Sequence, residues 1–386
     1  MQTRRHIHAG RRPGRPHQDF QRSHHPIPPG TRGELRFIPL GGCGEVQRST
    51  YVYEYNDDIV IIDMGLQFPD EDMPGIDYLI ANVEYLKPRK KNIRGIIITH
   101  GHYDHFGAIP HLLDSLGNPP IFATALTRGM IMKRQEDFKH LPKPKIELIT
   151  TESKVRLGNF LVEFYHINHN IPDSVGVVLR TPVGTVVHTG DFKFDPQPVS
   201  EATADLRRIA EIGRQGVLLL VSESTDADSP GHQISETEVQ KTIEEIFKVA
   251  PGRIIAATFA SLITRLQQLI WLSEKYGRKV ALEGFSIRQN IAVAQELGYL
   301  KIKKGTIIDA KDLHRYKENE ITILCTGAQG EDRAALMRIA NNEHRLISIQ
   351  PKDSVIFSSS VIPGNENTVQ RLKDTLYKRA GKVYHY

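Results

Sequence analysis

Cysteine is scarce in this sequence: Cys43 and Cys325 are the only two in 386 residues and lie far apart. That excludes a disulfide scaffold and any C-x-x-C metal knuckle or redox pair, and it fits a reducing compartment, so a cytoplasmic protein is expected. Long apolar runs are missing too. The longest, such as Gly216–Val221 and Gly95–Ile98, have the length of strands and fall far short of the roughly 18 residues a membrane span needs, which removes the membrane as a partner. The N-terminus has no apolar h-region and so does not read as a secretory signal. There is no internal repeat and, beyond the N-terminal segment, no low-complexity stretch.

What is present is an ordinary globular composition, 39% hydrophobic and 25% charged, in a chain longer than one core usually serves, so two domains are expected. The formal charge of +5 is local rather than general. Residues 1–33 carry seven arginines against Asp19 alone, a surplus of six, which leaves the chain from Glu34 onward at about −1. Such an Arg-, His- and Pro-rich segment buries too little apolar surface to fold by itself. It reads as a disordered basic tail, either a non-specific holder of nucleic-acid phosphates or a solvated extension or mis-called start.

From Leu35 short β-rich runs alternate with helical ones. Tyr51–Tyr55, Ile59–Asp63, Ile96–Thr99, Phe160–Ile167, Val175–Arg180 and Thr185–His188 read as strands, each followed by a polar or Gly-containing loop. After the strand Val217–Val221 the period changes. Glu236–Val249, Leu262–Lys275 and Ile287–Leu297 read as amphipathic helices, with strands at Arg253–Ala257, Lys279–Leu282, Ile321–Cys325 and Ser354–Phe357 between and after them. That rhythm predicts βαβ units with mostly parallel strands.

The chemistry concentrates in Thr99-His100-Gly101-His102-Tyr103-Asp104-His105-Phe106-Gly107, between the strand Ile96–Ile98 and an apolar helix expected over Ala108–Leu116. Four potential metal ligands fall within six positions, and packing alone gives no reason for that order. A tight loop can turn His100 and His102 to one cation and Asp104 with His105 to another, so two divalent ions are implied. Further ligands are expected at other strand ends. His169 follows Phe160–Ile167, and Asp191, whose two oxygens suit a shared ligand, follows Val186–His188. His166 and His188 compete but fall inside apolar strands, where a hydrogen-bonded core histidine is the simpler reading. Asp63, at the end of Ile59–Ile62, reads as a group orienting the ligand loops or as a turn-forming aspartate.

Asp63, the H-x-H-x-D-H stretch, His169 and Asp191 resemble the first four motifs of the metallo-β-lactamase superfamily. Ile38–Glu45, Phe68-Pro69 with Met73–Asp77, Ile171–Ser174, Thr189–Asp195 and Phe357–Ser360 with Pro363-Gly364-Asn365 are similar to ribonuclease J, from about Leu35 to the last residue. The resemblance implies an α/β fold, a metallo-β-lactamase αββα sandwich at 34–221 with an inserted β-CASP α/β domain at 222–386. It implies a ribonuclease acting in RNA processing, maturation and decay. That enzyme would be a 5′-to-3′ exonuclease preferring 5′-monophosphorylated single strands, with endonuclease activity besides. Carried over, His100, His102 and His169 hold one zinc or manganese ion, Asp104 and His105 the other, and Asp191 bridges. Glu223 matches an acid that contributes to the active site and otherwise reads as an acid near a helix start. Ala260, Ser261 and Leu262 match an RNA-contacting segment and otherwise read as a helix cap at Ser261. Asp77 matches a residue that helps hold a structural calcium and otherwise reads as a surface loop acid. Phe192 and Lys193, beside Asp191, suit contacts to the RNA strand, with Phe192 equally readable as core.

The sequence departs from the family at Cys43, where a small aliphatic residue is usual, and at Phe285, where arginine is. The resemblance also implies two further active-site segments and a small dimerisation domain after Tyr386. The expectation is therefore a C-terminally truncated chain that is a homo-oligomer when full length. Two other readings stay open on sequence: an inactive fragment that binds metal and RNA weakly, and a small-molecule hydrolase of thioesters or lactams on the same scaffold. The helical insertion after Ser222 argues against the second.

Overall fold

The computed structural model describes residues 27–28, 30–69, 73–331, 333–362 and 364–385. The expected basic tail, 1–33, lies outside the described residues except for its last few positions.

The described chain begins with three antiparallel strands, β1 (Leu35–Gly41), β2 (Thr50–Tyr55) and β3 (Asp58–Ile62). A two-stranded ribbon, β4 (Leu66–Gln67) and β5 (Leu79–Ile80), leads to β6 (Ile93–Ile97), which lies parallel to β3. The helical turns α1 (Tyr103–Phe106) and α2 (Ile109–Leu112), then β7 (Ile121–Ala123), α3 (Ala125–Gln135) and β8 (Ile146–Leu148) follow, completing a six-stranded sheet in the order β1-β2-β3-β6-β7-β8. β3 is buried along its whole length and β6 at all but Arg94, which is why both read as apolar runs rather than alternations. The helix expected over Ala108–Leu116 shrinks to α2. Leu116 N–H divides between the Leu112 and Leu113 carbonyls (3.3 and 3.2 Å) and the stretch tightens into turns that end at Gly117, φ +82°.

A second sheet holds β9 (Lys154–Leu157), β10 (Phe160–His166), β11 (Val175–Thr181) and β12 (Gly184–His188), all antiparallel. After α4 (Leu206–Arg214) comes β13 (Leu219–Val221), shorter than the expected Val217–Val221, which pairs parallel to β12 at the sheet's edge. The two sheets face each other across one apolar layer, with Tyr53, Val60, Ile62, Ile97 and Phe122 against Phe160, Val162, Phe164, Val177 and Val186. The outer face of the first sheet packs on Phe106, Ile109, Leu112, Leu126 and Met130, and that of the second on Ile212 and Ala204. The arrangement is helix, sheet, sheet, helix.

The rest of the chain runs α5 (Glu236–Val249), β14 (Ile254–Ala257), α6 (Ile263–Lys275), β15 (Lys279–Glu283), α7 (Phe285–Glu296), β16 (Ile307–Ile308), β17 (Ile321–Cys325), α8 (Ala335–Ala340), β18 (Ser354–Phe357), α9 (Glu366–Tyr377) and β19 (Lys382–His385). Its six strands are ordered β16-β15-β17-β14-β18-β19, and every pairing in that sheet is parallel. Ile243, Ile246, Leu266, Leu269 and Ile291 cover one face, and Leu336, Ile339, Val369, Leu372 and Leu376 the other. The first of these apolar layers is continuous with the core beneath α3, which packs against α7. Among the described residues no helix is long and apolar enough to cross a membrane.

Candidate metal centre

Asp63 leaves β3 in the left-handed region, φ +61°, fully buried, and its carboxylate turns toward the end of β6. There Asp63 Oδ1 accepts from Thr99 N–H at 2.8 Å, while Oδ2 accepts from the Thr99 hydroxyl at 2.9 Å and from His105 Nδ1–H at 2.8 Å. This last bond orients the His105 ring and points its Nε2 toward Asp191 Oδ2 at 3.3 Å and Asp104 Oδ2 at 3.6 Å. Backbone bonds from Met64 N–H to His105 O (2.7 Å) and from Ser49 N–H to Asp104 O (2.9 Å) pin the same loop. Gly65 allows this closeness, since a Cβ there would stand 1.7 Å from the Asp104 carbonyl oxygen.

On the other side of the cluster, His102 Nδ1 lies 3.1 Å from His100 Nε2 and 3.2 Å from His169 Nε2. His169 Nε2 is 3.9 Å from the same Asp191 oxygen that faces His105, and the donors fall into two groups that share His100. One is His100, His102 and His169; the other is His100, His105 and Asp191, with the donor atoms of each group within 4.8 Å of one another. Burial, then the charge on His105, holds His100 well below the ordinary histidine range and His102 at about 4; burial and His102 take His169 to about 3. These three imidazoles are therefore neutral near pH 7, with lone pairs free. His105 goes the other way. Burial opposes its charge, but Asp191, Asp104 and Asp63 together raise it well above the usual value.

The strand ends thus bring Asp63, His100, His102, Asp104, His105, His169 and Asp191 to one place. His166 is elsewhere, bonded through Nε2 to the Ala202 carbonyl at 3.1 Å, and His188 is buried against the Tyr53 hydroxyl at 3.0 Å. Glu223 lies against the Asp191 loop, its carboxylate accepting from Phe192 N–H at 3.4 Å and Thr225 N–H at 2.8 Å. Ala260–Leu262 sit where α6 begins, next to the His169 loop, with Thr264 Oγ1 3.4 Å from the Asn170 carbonyl. The residue preceding the first turn of α6 is Leu262, so Ser261 is not its cap. Asp77 is exposed and joins neither donor group found among the described residues. The expectation that Lys193 grips nucleic acid is overturned. Its side chain is only 10% exposed and its ammonium donates to Glu236 Oε1 at 2.8 Å, while Phe192 packs on Phe194 and the core under α4. A pairing between residues 43 positions apart has no signature in local sequence.

Residues 43–255 match the profile of the metallo-β-lactamase superfamily, more than half of the chain. The chain belongs to the metallo-β-lactamase superfamily. Residues 251–376 match the profile described as ribonuclease J, β-CASP domain. Curated relatives include ribonuclease J of Thermus thermophilus, 41% identical and covering 92% of this chain, and ribonuclease J 1 of Streptococcus pyogenes, 43% identical over 91%. Ribonuclease J2 of Bacillus subtilis is 37% identical over 90%. The chain spans 63%, 62% and 63% of the length of these three relatives. Among solved structures, a protein of unknown function from Enterococcus faecalis V583 shares the fold, with TM-score 0.65 at 14% identity, over 91% of this chain and 88% of that one. The sandwich followed by the parallel α/β unit is thus a metallo-β-lactamase domain with a β-CASP domain.

A metallo-β-lactamase fold implies divalent metal ions, and this site has the donors for them. The nitrogen separations of 3.1 and 3.2 Å are close to the edge, about 3.3 Å, of a tetrahedron built on bonds of about 2.0–2.1 Å.

Proposed function

We propose that this chain carries the metal-bearing part of a ribonuclease that hydrolyses RNA phosphodiesters, with 34–221 as its metallo-β-lactamase part and 222–386 as its β-CASP part. The observation that carries the reading is the pair of donor groups that share His100, with Asp191 of one group 3.9 Å from His169 of the other, inside a chain whose second half matches a ribonuclease β-CASP domain. His100, His102 and His169 would hold one zinc or manganese ion, Asp104 and His105 the other, with Asp191 shared. Two such cations, when bound, lower the pKa of water and offset charge on the reacting phosphate.

The chain's own residues prepare for this. Burial keeps three imidazoles unprotonated, Asp63 turns Nε2 of His105 toward Asp191, and Glu223 steadies the Asp191 loop through Phe192 N–H. The segment Ala260–Leu262 at the start of α6 is the seat of an RNA phosphate in this reading, with Leu262 N–H itself taken up by the Phe259 carbonyl at 3.1 Å. The substrate of this reading is single-stranded RNA with a 5′-monophosphate, cut from the 5′ end with internal cuts besides, in a cytoplasmic enzyme that is a homo-oligomer when full length.

Metal analysis beside a nuclease assay on 5′-monophosphorylated RNA tests it, with His102→Ala as the control. Bound divalent metal and RNA cleavage that is at least 100-fold weaker in His102→Ala are expected. Metal without cleavage would point to an inactive fragment, and thioester but not RNA hydrolysis to a small-molecule enzyme; either overturns the reading.

A further inference from the structure

The two loops that bring His169 and Asp191 to the metal centre are also tied to helices of the parallel α/β unit. Lys193 stands two residues after Asp191, and its backbone N–H donates to the carbonyl of Asn168, one residue before His169, at 2.8 Å. One residue therefore clips both loops together. Its side chain continues into the protein, where Nζ meets Glu236 Oε1 at 2.8 Å in the first turn of α5. The other oxygen of Glu236 accepts from Arg265 Nη2 at 2.7 Å and Gln268 Nε2 at 3.1 Å on α6, and Arg265 Nη1 donates to Ser358 Oγ at 2.7 Å, just past β18. Glu236 N–H in turn donates to Asp195 Oδ2 at 2.8 Å, back on the Asp191 loop. The side chains of Lys193, Glu236 and Arg265 are 10%, 12% and 8% exposed.

The His169 loop has a tether of its own. Asp173, held at φ +75°, accepts at Oδ2 from the Tyr299 hydroxyl and from Leu126 N–H, both at 2.9 Å. Tyr299 follows α7, so this bond also crosses from the sandwich to the parallel unit.

Building on the metal-centre reading above, we infer that Glu236 and Tyr299 are positioning residues for the metal centre: Glu236 sets the Asp191 loop through Lys193, and Tyr299 sets the His169 loop through Asp173. The physical reason is that a buried ammonium does not tolerate the loss of its partner. With Glu236 neutralised, the ion pair left to Lys193 within 4 Å among the described residues is with Asp195, whose nearest oxygen is 3.8 Å away, and the ammonium relaxes toward water, pulling on the backbone that joins Asp191 to Asn168. Neither Glu236 nor Tyr299 belongs to a donor group; each acts on the metal through a loop it does not belong to. Partners beyond the ligands commonly change metal affinity by about 10- to 100-fold.

The test uses the whole chain as wild type, Glu236→Gln and Tyr299→Phe, with zinc alone titrated against a competing chelator. Amide hydrogen exchange is measured on the metal-free proteins. Zinc affinity should fall at least about tenfold in each variant, with faster exchange confined to 168–173 and 189–195 while β14, β17 and β18 keep wild-type protection. Variants that fold, bind zinc like wild type and protect those loops normally would sink the inference and leave Glu236 and Tyr299 as ordinary structural residues. If Glu236→Gln fails to fold, Tyr299→Phe decides alone. A wild-type chain that takes up no zinc would instead defeat the metal-centre reading, and the exchange comparison would still judge the straps.

Discussion

Asp63 shows how much of a metal site can be set by a residue that touches no metal. Its carboxylate accepts from Thr99 N–H, the Thr99 hydroxyl and His105 Nδ1–H, all inside the protein. Replacing it with asparagine is the informative change. Asparagine tolerates the left-handed backbone that Asp63 adopts at φ +61°, so the turn survives. One carboxylate oxygen, however, becomes an NH2 group pointed at a donor. Asp63→Asn should cost roughly 1–3 kcal/mol of stability for the unmet donor and lower zinc affinity by about 10- to 100-fold, because His105 loses the bond that fixes its ring. Chelator competition reads the second effect and denaturant unfolding the first; wild-type affinity in a correctly folded variant would contradict this account of His105.

At the scale of elements, the ligand loop after β6 is held by how closely the turn after β3 can approach it. Gly65 is the contact point. Its φ is not left-handed, so the requirement is space alone: an added Cβ would meet Asp104 O at 1.7 Å and Ser49 N at 2.6 Å. Both are backbone atoms, which cannot swing aside. Gly65→Ala should therefore destabilise the fold by at least about 2 kcal/mol and weaken metal binding together with it, measured as a lower unfolding midpoint and a weaker zinc titration on the same sample. A variant with an unchanged midpoint would show that the loop yields easily.

Legibility followed the range of the interactions involved. The donors between His100 and His105 were readable because their spacing is short and ordered, and β3 and β6 because strands buried between layers leave apolar runs. β1 went unread, since its Leu35–Gly41 has a mixed burial pattern, as did α9, whose polar residues outnumber its three buried ones, Val369, Leu372 and Leu376. Lys193 was misread for a different reason. A lysine beside a ligand looks like a phosphate contact until a glutamate from a distant helix is seen to hold it.

Considered as a whole molecule, the sandwich and the parallel unit meet across a cluster of buried charges, and that cluster contains two carboxylates driven in opposite directions. Burial alone would raise Glu236, but Arg265 and Lys193 hold it at about 2, against an ordinary 4.5. Glu201 is pushed up to about 7 by burial and then by the carboxylates of Glu236 and Asp195, and its Oε2 is buried with no hydrogen-bond partner. The signs follow from linkage. A carboxyl group lowered by folding stabilises the native state above its unfolded value, and that stability is lost as pH falls from about 4.5 toward 2. One raised by folding does the reverse, leaving the native state less stable as pH rises from about 4.5 through 7. Glu236→Gln should then cost roughly 3 kcal/mol at pH 7 and progressively less below pH 4, whereas Glu201→Gln should gain roughly 3 kcal/mol at pH 8 and nothing at pH 4. Urea unfolding of the three proteins across that range measures both differences. Two variants whose stability runs parallel to wild type at every pH would mean that the charges between the two units are solvated, and that the metal loops are not anchored by them.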